Sequence, residues 1–238
     1  MEPAGERIAR LGFRLVVVLI LGITSSTARV GVAVGRIETD SVTVLAETTS
    51  SDDRRHAEDA TPLMLEALNL AGVTVQDIGR LAVDVGPGRF TGLRVGFSTV
   101  RALAFALDLP VTGVSSLEVL AAEQGPTAQV PVASVIDARR SEVFQQVYGP
   151  DGPVGPPLVG PALDLAPTVP GNAVALGDGA DRYLTLYSDR VAVVSGREPS
   201  PSWLLRLAAF RPALDAANVE PLYLRDPDVQ INIRTRHA

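Results

Sequence analysis

Near the start of the chain, residues 15–23, 29–37 and 41–49 are three apolar-rich stretches at hairpin spacing. They predict three strands. The polar cluster 50–55 follows, with Asp52 and Asp53 as candidate helix caps. From residue 56 to 71 the spacing becomes helical, and Gly72 closes the segment. Pro62 interrupts it, which places the true first turn near the proline or a kink there. A fourth strand over 80–85 runs through a glycine loop into a helix over 91–107, and 108–123 predicts a short strand and another helix. The order then restarts: 130–149 reads as strand, polar turn and strand. The Pro- and Gly-rich run 150–170 is expected to wander over the surface. A strand ending in a glycine turn (173–180), a late helix from Trp203 to Phe210 and a polar tail complete the chain. Two strand-hairpin-plus-helix units in series predict two similar α/β lobes rather than one doubly wound sheet. The expected division is an extension at 1–14, a first lobe at 15–112, a second at 113–225 and a tail at 226–238.

The apolar run 15–23 has a second reading. Arg7, Arg10 and Arg14 precede it and small residues follow at Ser25, Ser26 and Ala28, which outlines a signal peptide too short to span a bilayer. The strand reading is preferred, because the next two strands would otherwise lack a partner.

The two helices carry more apolar surface than one sheet face needs. At 100° per residue, Leu70, Leu63, Ala67, Ala60, Met64, Leu68 and Leu65 follow one another around an arc of about 220°. In 91–107 the polar residues gather around Arg94, Arg101, Ser98 and Thr91, and nearly everything else is apolar. An arc of about 100° suffices for one packed face. The surplus is buried under the second lobe or offered to another protein. Gly92 and Gly96, one turn apart, would let a second helix approach closely.

Composition narrows the chemistry. The formal charge of −6 argues against free-standing affinity for nucleic acid. There is no Cys, so thiol nucleophiles and thiolate metal sites are excluded. All 21 basic residues are Arg, which removes Schiff-base chemistry and any lysine on a phosphate. The two histidines are His56 and His237, so a metal site or Ser-His-Asp triad would rest on His56. Gly86, Gly88 and Gly92 after an apolar strand resemble a phosphate loop, but a Walker loop needs lysine and a dinucleotide fingerprint needs different spacing. The alternative is that the glycines allow a tight strand-to-helix reversal.

The stretch "GPGRFTGLRVGFSTVRALAFALDLPVTGVSSLEVLA" (86–121) resembles the TsaB (YeaZ) family at its most specific motif, through Gly86, Pro87, Gly88, Phe90, Thr91, Gly92 and Arg94. Arg89 departs from it, standing where Ser is common. "LILGITSST", "RRHAEDATPLM", "IDARRSEVF", "LGDGA" and "EPLYLRDPDV" match further family segments in order, so the resemblance spans about 18–231. It implies the two-lobed actin-like, sugar-kinase and heat-shock ATPase (RNase H-like) superfold. It also implies a cytoplasmic, non-catalytic subunit in the making of N6-threonylcarbamoyladenosine at tRNA position 37. The partners implied are TsaD, which catalyses transfer, and the ATPase TsaE, with tRNA met only through the complex. The contact with TsaD would use the first-lobe helices, giving His56, Ala60, Leu63, Met64, Ala67, Leu68, Gly92 and Gly96 as interface residues. The glycine loop would be a degenerate phosphate or interface loop. No metal or cofactor is expected, with ATP or ADP at a joint surface with the partner and a homodimer as further expectations, and no membrane association. Thr24 stands where the family often has Asp, which weakens the alternative of an active actin-like ATPase or kinase. A secreted binding protein is the third class, raised by the signal-like start.

Overall fold

A computed structural model of the chain describes residues 18–50, 56–125, 127 and 129–225. The expected extension 1–14 and tail 226–238, the caps Asp52 and Asp53, and His237 lie outside them. The chain opens with β1 (Val18–Thr24), β2 (Gly31–Ile37) and β3 (Val42–Thr49), then α1 (His56–Ala71). β4 (Ile78–Asp84), α2 (Phe90–Leu107), β5 (Val111–Val114) and α3 (Ser116–Gln124) follow. The first sheet has the order β3-β2-β1-β4-β5. Its three opening strands are antiparallel, and β1, β4 and β5 are parallel.

Period-two alternation sorts the strand residues to two cores. Leu21, Ile23, Val34, Leu81 and Val83 meet α1 and α2 on one face. Ile20, Ala33, Ala82 and Val114 meet α7 (Pro201–Ala208) on the other, through Leu204, Leu205 and Ala208. β1 therefore lies at the centre of the sheet with side chains buried on both faces. That is why 18–23 reads as an unbroken apolar run, and loss of this strand would split the sheet. α2 is apolar and long enough to resemble a membrane span, yet Leu93, Phe97, Val100 and Ala104 are buried within the fold.

The second sheet repeats the plan. β6 (Val132–Arg139) and β7 (Glu142–Gly149) form a hairpin, with β10 (Val174–Leu176) and β11 (Ala192–Val194) added in parallel beside β6. The stretch 150–170 is more ordered than expected. Within it β8 (Gly152–Pro153) and β9 (Leu158–Pro161) pair with β7, and α4 (Ala162–Leu165) buries Ala162. α5 (Asp178–Arg182) and α6 (Leu184–Ser188) complete the lobe. α3 joins the two cores, with Val119 in the first and Leu117 and Leu120 in the second. A cut at 112 falls inside β5, and α7 returns to the first sheet, so two consecutive segments do not describe the lobes. The physical reason is that the outer face of the first sheet would be bare without α7.

Candidate functional site

The turn after β1 and the loop after β4 leave the same edge of the sheet, because Ile23 lies beside Val83 in parallel register. Asp84, the last residue of β4, is fully buried. Its two carboxylate oxygens accept the N–H groups of Ser25 and Ser26, each at 3.1 Å. The Ser116 hydroxyl, at the start of α3, donates to the same carboxylate at 3.3 Å. Burial pushes the Asp84 carboxyl above its ordinary range, while the hydrogen bonds from Ser26, Ser25 and Ser116 pull it back. Two consecutive backbone N–H groups converging on an anion make the geometry of an anion nest. Here the anion belongs to the chain.

The glycine loop closes onto the same turn. Gly86 and Pro87 are joined by a cis peptide bond. The Arg89 N–H donates to the Ser26 carbonyl at 2.7 Å, and the Ser116 N–H to the Gly86 carbonyl at 2.9 Å. A Cβ on Gly88 would collide with the Ser26 carbonyl oxygen, and one on Gly96 with the Ser25 hydroxyl. Gly96 thus admits the first turn of its own chain rather than a helix of another, which corrects its assignment to a partner face. Gly86, Pro87 and Gly92 are buried, whereas Phe90, Thr91 and Arg94 are exposed. The tight reversal is the reading of these glycines that the geometry carries.

Facing this turn, the second lobe presents acidic groups. The Asp178 carboxylate, at the start of α5, accepts the Asp137 N–H at 2.9 Å. Burial pushes the Asp178 carboxyl up to about 6; the Asp137 and Glu198 charges add to this, and the Asp137 N–H and Arg89 oppose it. Asp137 itself accepts the Arg139 N–H at 3.0 Å and lies 3.5 Å from Arg182. The Thr27 hydroxyl donates to Glu198 at 3.0 Å, tying the first turn to the second lobe. Among the described residues, no three His, Asp or Glu side chains are grouped so as to hold a metal ion.

The expected partner-facing stripe needs correction. Ala60, Met64, Ala67 and Leu68 are buried in the first-lobe core, and Leu63 packs partly against it. Their arc faces the sheet, not solvent. The outward apolar residues along these helices include Leu65, Leu70 and, towards the end of α2, Phe105, which are 58%, 61% and 93% exposed. The helix begins at His56, whose side chain lies outside the described residues. Asp84, Ser116 and Asp178 were not singled out from the sequence. The available signal was a lone carboxylate in each of two apolar contexts, "RLAVDV" and "VALGDGA".

Two sheets, each opening on an antiparallel hairpin, flank the facing turns; this is the actin-like, RNase H-like α/β class. The comparisons refine the class. The family model described as "TsaD: tRNA N6-adenosine threonylcarbamoyltransferase" matches residues 43–174. An uncharacterised protein of Mycobacterium tuberculosis is 38% identical over 86% of this chain and 91% of its own. The tRNA threonylcarbamoyladenosine biosynthesis protein TsaB of Bacillus subtilis is 29% identical over 87% of this chain and 93% of its own length. The solved structure of YeaZ from Pseudomonas aeruginosa is 30% identical, superposes with a TM-score of 0.70, and covers 87% of this chain and all of that one. The chain belongs to the TsaB (YeaZ) family.

Proposed function

We propose that this chain is a non-catalytic subunit in tRNA threonylcarbamoyladenosine biosynthesis, pairing with a TsaD-type partner that carries out transfer. The observation that carries the reading is the filled nest: the Ser25 and Ser26 N–H groups are held by Asp84. The two consecutive backbone N–H groups that such a turn would offer a nucleotide phosphate are thus already taken by the chain's own carboxylate. The absence of lysine and the Thr24 hydroxyl support the same reading, since neither brings charge to a phosphate or a cation. The outer surfaces of α1 and α2 are the partner face. TsaE, a nucleotide at the joint surface, a second copy of the chain and a cytoplasmic location complete the proposal.

The test is co-expression with the organism's own TsaD. Co-purification, with loss of threonylcarbamoyladenosine from tRNA when this chain is depleted, is the expected result. The isolated chain should neither hydrolyse ATP nor modify tRNA. Clear ATP turnover or threonylcarbamoyl transfer by the isolated chain would overturn the non-catalytic reading in favour of an active actin-like enzyme.

A further inference from the structure

Where the two lobes meet, aromatic rings and guanidinium groups form one connected rim. The Arg94 guanidinium lies over the Phe90 ring at 3.8 Å, and Phe90 packs against Tyr223 with ring centroids 5.5 Å apart. Both rings are exposed at the surface. Two residues beyond Tyr223, Arg225 crosses to the second lobe, donating to the Ala138 carbonyl at 3.1 Å and pairing with Glu142. Beside Ala138 is the β6–β7 turn, where Arg139, Arg140 and Ser141 have φ of 66°, 54° and 66°. Non-glycine residues seldom adopt this left-handed region. Arg139 and Arg140 are exposed, while the neighbouring Asp137 carboxylate is 4% exposed. Both arginines reach the surface, and the Arg139 guanidinium lies 3.6 Å from the Asp137 carboxylate, so part of its charge is shared with Asp137.

We propose that this rim is the chain's contact surface for RNA, with a base stacking on Tyr223 and backbone phosphates held by Arg94, Arg139 and Arg140. Planar, weakly hydrated guanidinium groups pair with phosphate oxygens, and an exposed ring accepts any base on its face. A protein partner is the less fitting occupant. The rings here are flanked by guanidinium groups, whereas Phe105 lies about 22 Å away along α2. With a net charge of −6 the attraction is local, so the rim acts on RNA that a partner already holds. This inference rests on the tRNA-modification reading and gives the RNA a path across this subunit.

The experiment uses the complex with TsaD and an unmodified transcript of a tRNA reading codons that begin with A. Affinity is measured against salt for the parent, Tyr223→Ala, Tyr223→Phe and the double variant Arg139→Ala/Arg140→Ala. Tyr223→Ala is expected to weaken binding at least about fivefold, and Tyr223→Phe to leave it near the parent value. The double variant should lower the slope of log affinity against log salt, by at most about 1.5 because Arg139 shares its charge with Asp137. Arg140→Glu, at an exposed turn position, gives an independent reading should Tyr223→Ala fail to fold, and it too should weaken binding. Variants that pair with TsaD and bind the transcript like the parent, at every salt concentration, overturn the rim and leave the subunit reading intact. Variants that lose TsaD instead would make the rim a protein contact, which also overturns the inference. Failure of the parent chain to pair with TsaD would count against the subunit reading itself.

Discussion

Asp84 decides the character of the glycine loop more than any glycine in it. Its carboxylate neutralises the donors of the first turn and ties β4 to α3. Asp84→Ala would leave two buried N–H groups unsatisfied and should cost roughly 3 kcal/mol or more. Thermal and denaturant melts check this; a variant as stable as the parent would mean that the nest is not held by the carboxylate. Asp178, like Asp84, is pushed up by burial. Its carboxyl titrates near 3.8 unperturbed and near 6 when folded, so the folded chain holds the proton more tightly. Stability therefore falls as pH rises from about 4 to about 6 and stays lower above that, by at most about 3 kcal/mol. Asp178→Asn keeps an acceptor for the Asp137 N–H, and should melt above the parent at pH 8 and match it at pH 4. An equal difference at both pH values would rule this out. The sequence displays both carboxylates, but their partners depend on which strands adjoin. Asp84 meets Ser25 across 59 positions, a distance no local pattern spans.

At the scale of elements, α1 illustrates what an angular pattern holds. Along the arc, Ala67, Ala60, Met64 and Leu68 occupy the middle, and Leu70 and Leu65 the two ends. The middle is buried and the ends are exposed. The partition between core and surface was thus present in the wheel, because a helix on a sheet buries the centre of its apolar arc first. The presence and type of β1–β5 and α1–α3 were equally legible, since they follow from apolar period, whereas the short elements β8, β9, α4, α5, α6 and β11 of the second lobe were not. The return of α7 was not, because it depends on one long-range docking. Met64→Ala should destabilise the isolated chain by about 2–5 kcal/mol, as expected of a buried truncation, rather than act on association. A melt near the parent value with loss of TsaD would restore Met64 to the interface. α7 has its own anchor. Arg80 on β4 donates to the Ala208 and Ala209 carbonyls at 2.8 and 3.0 Å and to that of Arg211. The first two are acceptors at the helix end and its C-cap, which a helix cannot satisfy internally, and the third lies in the turn that follows. Arg80→Met should cost about 1.5–3 kcal/mol and raise amide exchange in α7 before β1; unchanged exchange in α7 would remove Arg80 from this role.

For the whole molecule, the two lobes are joined through buried α3 and the return of α7, while the first turn is occupied by the chain's own groups. Association with another protein then falls to the surface rather than to the cleft. α1 and α2 pack beside each other on one face of the first sheet, and their outward sides carry Leu65, Leu70 and Phe105. A side chain that is 93% exposed contributes little to the isolated fold. At the centre of a specific interface of about 1,600 Å² the same ring would be among the few residues that dominate affinity. Phe105→Asp should therefore leave the melt of the isolated chain within about 0.5 kcal/mol of the parent. In the complex it would place a charge in a desolvated contact, at a cost of several kcal/mol, and co-purification with TsaD should be lost together with threonylcarbamoyladenosine in tRNA. Leu65→Asp, on the neighbouring helix, should act in the same direction. If both variants fold, bind TsaD and sustain modification as the parent does, the partner docks elsewhere and the outer face of α1 and α2 must be given another role.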